Sequence, residues 1–152
     1  MVAVDSSVWI EGLRRHGKLE VKLALEGLLE AYEAQWSTPV RLEVLGGARA
    51  DERRRLGLHF ASIPYRVLTE PDWERAVALA WRLRDAGLTI PWMDVLVAAL
   101  ALHDDLRLYT LDAHFTRVSE LTGLRLYRPG HAGRSEEHTS ELQSRFGISY
   151  AV

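Results

Sequence analysis

The sequence predicts a three-layer α/β/α sandwich built on a mainly parallel sheet. Two observations carry that expectation. Short apolar runs alternate with longer segments of helical period, and strands separated by helices pair in parallel through crossovers. The chain also has an ordinary globular make-up: 152 residues, 47% hydrophobic, 26% charged, net charge −2. A chain of this length buries roughly two-thirds of its unfolded surface, enough for one core, and overall disorder is excluded.

The elements follow in order. Residues 2–4 are a buried strand closed by Asp5-Ser6-Ser7, where either serine can cap a short helix. Val21, Ala24, Leu25, Leu28, Leu29 and Tyr32 form an amphipathic stripe. A second strand ends at Trp36-Ser37, and Thr38-Pro39 opens a helix that passes Glu43 and loosens at Gly46-Gly47. A further helix fits residues 50–60. Residues 63–68 are extended, with Pro64 marking an edge strand. Thr69-Glu70-Pro71-Asp72 starts a helix carrying Trp73, Ala76, Val77, Ala80 and Trp81, which Gly87 ends. Pro91 precedes a helix over 92–103, apolar on most sides and therefore buried. Residues 107–110 form a strand, 113–119 a short helix and 124–127 a final strand. All five tryptophans read as core residues, with Trp92 the most exposed of them.

From Arg134 the apolar period disappears, and residues 134–152 resemble the translation of a sequencing-library adapter. The expected organisation is one folded domain, 1–133, and a disordered non-native tail. Without the tail's two Arg and three Glu, 17 basic residues face 18 acidic ones. No bulk charge therefore draws the domain to nucleic acid or membrane, and any such binding is local. The absence of Cys removes disulfides, thiol catalysis and Cys-based zinc sites, and suits a cytoplasmic location. The longest apolar run, 95–102, is too short to span a bilayer.

In open parallel sheets, sites form outside the carboxyl ends of the strands. Asp5 follows the first strand, and Asp112 follows the strand at 107–110. Glu43 and Asp94 lie near helix starts, which can face the same edge or turn elsewhere. Each has an ordinary alternative: Asp5 as a helix cap, Glu43 as a solvated residue, Asp94 as a partner of the helix dipole, Asp112 in an Asx turn. Four carboxylates at one edge repel one another, and a divalent cation with hard oxygen ligands, Mg²⁺ or Mn²⁺, relieves that repulsion.

Four segments carry a family resemblance. Val2-Ala3-Val4-Asp5-Ser6-Ser7-Val8-Trp9-Ile10 resembles the opening of PIN-domain ribonucleases of the VapC toxin type. Residues 39–49, 91–99 and 109–115 resemble their second, third and fourth motifs in the same order. The resemblance implies a PIN-like fold and a Mg²⁺- or Mn²⁺-dependent endoribonuclease, the toxin of a toxin–antitoxin pair. It implies Asp5, Glu43, Asp94 and Asp112 as catalytic and metal-binding acids, with Asp5 central. Ser7 matches a supporting hydroxyl, with helix capping as its alternative. It also implies an RNA substrate cut by water to 5′-phosphate and 3′-hydroxyl ends, a cognate antitoxin and a homodimer; no membrane partner is expected.

Arg49, Arg53, Arg54 and Arg55, and separately Arg14, Arg15 and Lys18, are candidates for phosphate contacts, against an ordinary solvated role. His114 reads as a surface or packing residue rather than a substrate contact, and His16, His59, His103 and His131 show no ligand spacing. Asp104-Asp105 reads as a polar helix end. The helix over 19–29 offers a groove for an antitoxin or a second copy, or is simply buried within the fold. Two other functions compete, and a third is rejected. A nuclease of RNA processing or decay has the same chemistry, and a catalytically silent binding module has the same fold. A phosphoacceptor receiver domain needs a Lys after its last strand, where this chain has Arg128-Pro129.

Overall fold

The computed structural model describes residues 1–130. Strands β1 (Val2–Val4), β2 (Ala34–Ser37), β3 (Tyr65–Arg66) and β4 (Arg107–Tyr109) form one sheet of order β3-β2-β1-β4, with every pair parallel. Seven helices accompany them: α1 (Ser6–Leu13), α2 (Leu19–Glu30), α3 (Thr38–Gly46), α4 (Arg53–Phe60), α5 (Glu70–Asp85), α6 (Trp92–His103) and α7 (His114–Thr122). This is the expected α/β/α class with a parallel sheet.

β1 is central and closed on both sides: Val2 registers with Ala34 on β2 and Arg107 on β4, and Val4 with Tyr109. A parallel strand covered on both faces is a short apolar run, as Val2-Ala3-Val4 is. Its neighbour α6 is buried from Asp94 through Ala101 and packs on α3 and α5. The start of α5 is a capping box in which Thr69 and Asp72 bond reciprocally, with Pro in the first turn. Past its end, Gly87 takes φ +80°, a left-handed position where a side chain is strained.

Two strands differ from expectation. The strand expected over 63–68 shrinks to Tyr65–Arg66, at the sheet edge as Pro64 suggested. The final strand over 124–127 is reduced to one bridge, Leu108 to Leu126. Leu108 N donates to Arg125 O and Tyr127 N to Leu108 O, each at 2.8 Å. Confined between the left-handed Gly123 and Pro129, the segment meets β4 at a single register position.

Arg66 explains much of the edge. Its Nε donates to Asp104 Oδ2 at 2.8 Å, while Nη1 and Nη2 donate to the two oxygens of Asp72 at 2.8 and 3.0 Å. One guanidinium thus ties β3 to the start of α5 and the end of α6. Asp104 is therefore a helix end with a partner, and the Asp72 carboxyl is held well below the usual range, first by Arg66.

The tryptophans divide. Trp9 and Trp36 are core, with Trp9 donating from Nε1 to Val4 O at 3.2 Å and meeting Phe60 edge-on at 4.9 Å. Trp73, Trp81 and Trp92 are not core, being 49%, 66% and 67% exposed. Trp73 and Trp81 sit on the outer side of the α5 stripe, with Ala76, Leu79 and Leu83 turned inward. They line a groove of about 330 Å³ between α5 and α6 that contains none of the four acids. On α2, Val21, Leu25 and Leu28 are buried within the fold. Lys22 is buried too, and its ammonium donates to Gly12 O and Arg14 O at the end of α1.

The tail expected at 134–152, and His131, lie outside the described residues. Among the described residues no helix is long and apolar enough to cross a membrane.

Candidate functional site

β1 ends at Val4, and the ladder runs one residue further: Asp5 N donates to Tyr109 O at 2.9 Å. The carbonyl of Asp5 then accepts from Val8 N and Trp9 N, starting α1. The backbone of Asp5 is therefore fixed by the sheet on one side and a helix on the other. Asp5 occupies the N-cap position, yet its carboxylate makes no capping hydrogen bond. It turns instead toward β4. Ser7 Oγ donates to Asp5 Oδ2 at 2.7 Å and Thr110 Oγ1 donates to the same oxygen at 2.9 Å. The other oxygen, Oδ1, is buried with no hydrogen-bond partner.

The remaining acids arrive from three other segments. Ligand oxygens of Asp5, Glu43 and Asp94 lie within 4.8 Å of one another. Asp94, Asp112 and His114 form a second such group. Asp94 belongs to both, so all four acids converge at the carboxyl end of the sheet. Glu43 comes from the helix leaving β2 and Asp94 from the first turn of α6. Asp112 is set by the turn after β4, where its N–H donates to Thr110 Oγ1 at 3.1 Å. The turn-forming side chain there is thus Thr110, not Asp112.

Burial and mutual repulsion hold three of the carboxyls above their ordinary range. Burial, opposed by the Ser7 and Thr110 hydroxyls, pushes the Asp5 carboxyl above its ordinary value. Burial and then the charges of Asp5 and Asp94 raise Glu43. Burial and the Asp5 charge also raise Asp94, against the pull of His114. Glu43 Oε1, like Asp5 Oδ1, is buried without a hydrogen-bond partner. Orphaned carboxylate oxygens are costly unless a proton or cation meets them. The donors are hard oxygens plus one imidazole, a set that fits a divalent ion.

Ser7 supports the site as the sequence suggested, through Asp5 Oδ2 and through Leu111 N, which donates to Ser7 Oγ at 3.0 Å. Sequence reasoning missed Thr110, whose signal is a hydroxyl at a strand end two residues before an acid. It also set His114 aside. Its Nε2 lies 2.7 Å from Asp94 Oδ2, close but not aligned as a hydrogen bond. The basic candidates are conventional: Arg53, Arg54 and Arg55 are exposed on α4, Arg14 pairs with Glu11 at 3.1 Å, and Arg49 with Asp51 at 3.4 Å.

Comparison with known proteins agrees with this architecture. Ribonuclease VapC11 of Mycobacterium tuberculosis is 30% identical over 134 residues, covering 82% of this chain and 96% of that protein. Ribonuclease VapC19 of the same organism is 30% identical over 122 residues, covering 80% and 97%. FitAcB from Neisseria gonorrhoeae superposes with a TM-score of 0.69 at 20% identity, over 86% of this chain and 99% of that one. VapBC2 from Rickettsia felis, bound to a DNA fragment from its promoter, gives 0.68 at 19% identity, over 84% and 98%. The PIN domain matches residues 2–121, a stretch that holds all four converging acids. The chain belongs to the PIN domain family.

Proposed function

We propose that this chain is a Mg²⁺- or Mn²⁺-dependent endoribonuclease, the toxin of a toxin–antitoxin pair. The observation that carries this is the carboxylate cluster of buried Asp5 and Asp94 with half-buried Glu43 and Asp112, in which Asp5 Oδ1 and Glu43 Oε1 have no hydrogen-bond partner. The VapC ribonucleases that it resembles at 30% identity support RNA as the substrate. Asp5, Glu43, Asp94 and Asp112 are the residues assigned to hold the cation and act in catalysis. A bound divalent ion supplies Lewis acidity to the scissile phosphodiester and lowers the pKa of the attacking water.

The chain's own residues do the rest. Ser7 and Thr110 fix Asp5 by one oxygen and leave the other to the centre. The Thr110 turn sets Asp112 beside Asp94, and α3 presents Glu43. No serine nucleophile is needed: the Ser7 hydroxyl is spent on Asp5. The exposed arginines of α4 are assigned to the RNA backbone. A cognate antitoxin and a second copy of the chain are the protein partners in this proposal, in the cytoplasm. The toxin–antitoxin complex from Klebsiella pneumoniae, with a TM-score of 0.66, shares the fold. The exposed apolar face of Trp73, Val77, Trp81 and Trp92 is surface that such association covers. Residues 1–133 are proposed as the functional domain, without the tail.

The test is cleavage of RNA by the purified chain with Mg²⁺ or Mn²⁺. Wild type cuts, EDTA stops it, and Asp94→Asn abolishes it while the circular dichroism spectrum is retained. Undiminished cleavage by folded Asp94→Asn would refute the assignment.

A further inference from the structure

We propose that His114 is itself a cation ligand. With Asp94 and Asp112 it forms a mixed nitrogen–oxygen subsite, joined through Asp94 to the all-oxygen subsite of Asp5, Glu43 and Asp94. The subsite suits Mn²⁺ or a later first-row divalent ion rather than Mg²⁺. The inference rests on the reading of the acidic cluster as a cation centre and deepens it.

Three observations carry it. First, one donor atom from each of Asp94, Asp112 and His114 lies within 4.8 Å of the others. Second, His114 Nε2 stands in an ion-pair contact 2.7 Å from Asp94 Oδ2 without hydrogen-bond alignment; that nitrogen is buried with no other partner, while the side chain as a whole is 33% exposed. Two donors bound to one ion at about 2.1 Å each lie about 3 Å apart, so a small opening of this contact admits an ion. Third, the ring is held in place. His114 is the first residue of α7, and its imidazole packs on Phe115 with centroids 4.9 Å apart; Phe115 itself is fully buried.

The neighbouring subsite that shares Asp94 also holds an open donor. Asp5 is wholly buried, and its Oδ1 has no partner within the cluster that shares Asp94. A carboxylate common to two subsites is the layout of paired-ion hydrolytic centres, where the ions lie about 3.5–4 Å apart. The nitrogen sets the preference. Imidazole binds Mn²⁺, Co²⁺, Ni²⁺ and Zn²⁺, whereas Mg²⁺ favours oxygen and keeps its waters.

The experiment is Mn²⁺ titration of the full chain, read by calorimetry and by electron spin-echo modulation from ¹⁴N. Wild type shows nitrogen coupling to bound Mn²⁺. His114→Ala and His114→Asn lose that coupling and bind Mn²⁺ about 10- to 100-fold more weakly. Mg²⁺ affinity stays unchanged, and both variants keep the wild-type circular dichroism spectrum. Nitrogen coupling that persists in folded His114→Ala, or is absent from Mn²⁺-loaded wild type, overturns the His114 assignment alone. Wild type that binds no Mn²⁺ overturns the cation-centre reading as well.

Discussion

Thr110 Oγ1 donates to Asp5 Oδ2 at 2.9 Å, joining the carboxyl ends of β4 and β1 across 105 residues of sequence. Ser7 saturates the same oxygen, and Thr110 in turn accepts from Asp112 N. One threonine therefore orients two of the four acids. Thr110→Val removes the donor and leaves the Asp112 N–H without its acceptor. The expected result is a loss of about 10- to 100-fold in RNA cleavage rate, while Thr110→Ser keeps most of the rate. Steady-state cleavage in saturating Mn²⁺, beside a thermal melt, separates this from simple unfolding.

Repulsion within the cluster predicts a stability that depends on pH and metal. Asp5, Glu43 and Asp94 are all raised in the folded state. Below their unfolded values, near pH 4, both states are protonated and the penalty vanishes. As pH rises, the unfolded chain ionises first, so metal-free stability falls until the folded groups ionise. Asp5→Asn is therefore more stable than wild type without metal, by a margin that widens from about pH 4 toward neutrality. Each kcal/mol relieved raises Tm by about 2–4 °C. Excess Mn²⁺ reverses the order. Melts from pH 4 to 8, with EDTA or Mn²⁺, check it; a gap that stays flat with pH sinks the repulsion account.

The Arg66 clamp is a separate matter of stability. Asp72 is 2% exposed, so Arg66→Ala leaves a buried carboxylate with Arg75 and Thr69 as its remaining partners. The expected cost is about 3 kcal/mol, measured by urea unfolding, with cleavage at low temperature retained. Because Asp72 is depressed in the fold, its contribution is present above about pH 4 and lost on acidification. Arg66→Ala accordingly loses less stability than wild type between pH 5 and pH 2.

Tryptophan positions predict opposite outcomes. Trp9→Ala removes a fully buried ring packed on Phe60 and costs about 3–5 kcal/mol. Trp81→Gln, on the exposed side of α5, changes the stability of the isolated chain by about 0.5 kcal/mol or less. Chemical denaturation of both variants distinguishes them.

The acids were legible because strand ends are legible. Val2-Ala3-Val4 can only be a buried strand in so short a run, so Asp5 falls at its carboxyl end, and Pro91 fixes the turn that carries Asp94. Helix α6 follows the expected bounds because its start has a Pro and its interior is uniformly apolar. The final strand was not legible, since one bridge and a strand share the same apolar residues. Nor were the Trp73 and Trp81 positions: an amphipathic stripe says which residues are apolar, not how wide the covered face is. The contact of His114 with Asp94 was not legible either, because the two lie twenty residues apart and no local pattern couples them.

The sheet order places β4 against β1, the last strand among the described residues on the first. A growing polypeptide emerging from the ribosome has Asp5 outside long before Thr110 and Asp112 exist. Until β4 docks, neither can take its place at the sheet edge. The four acids thus cannot assemble until synthesis has passed β4, and translation products truncated before residue 110 lack part of the cluster.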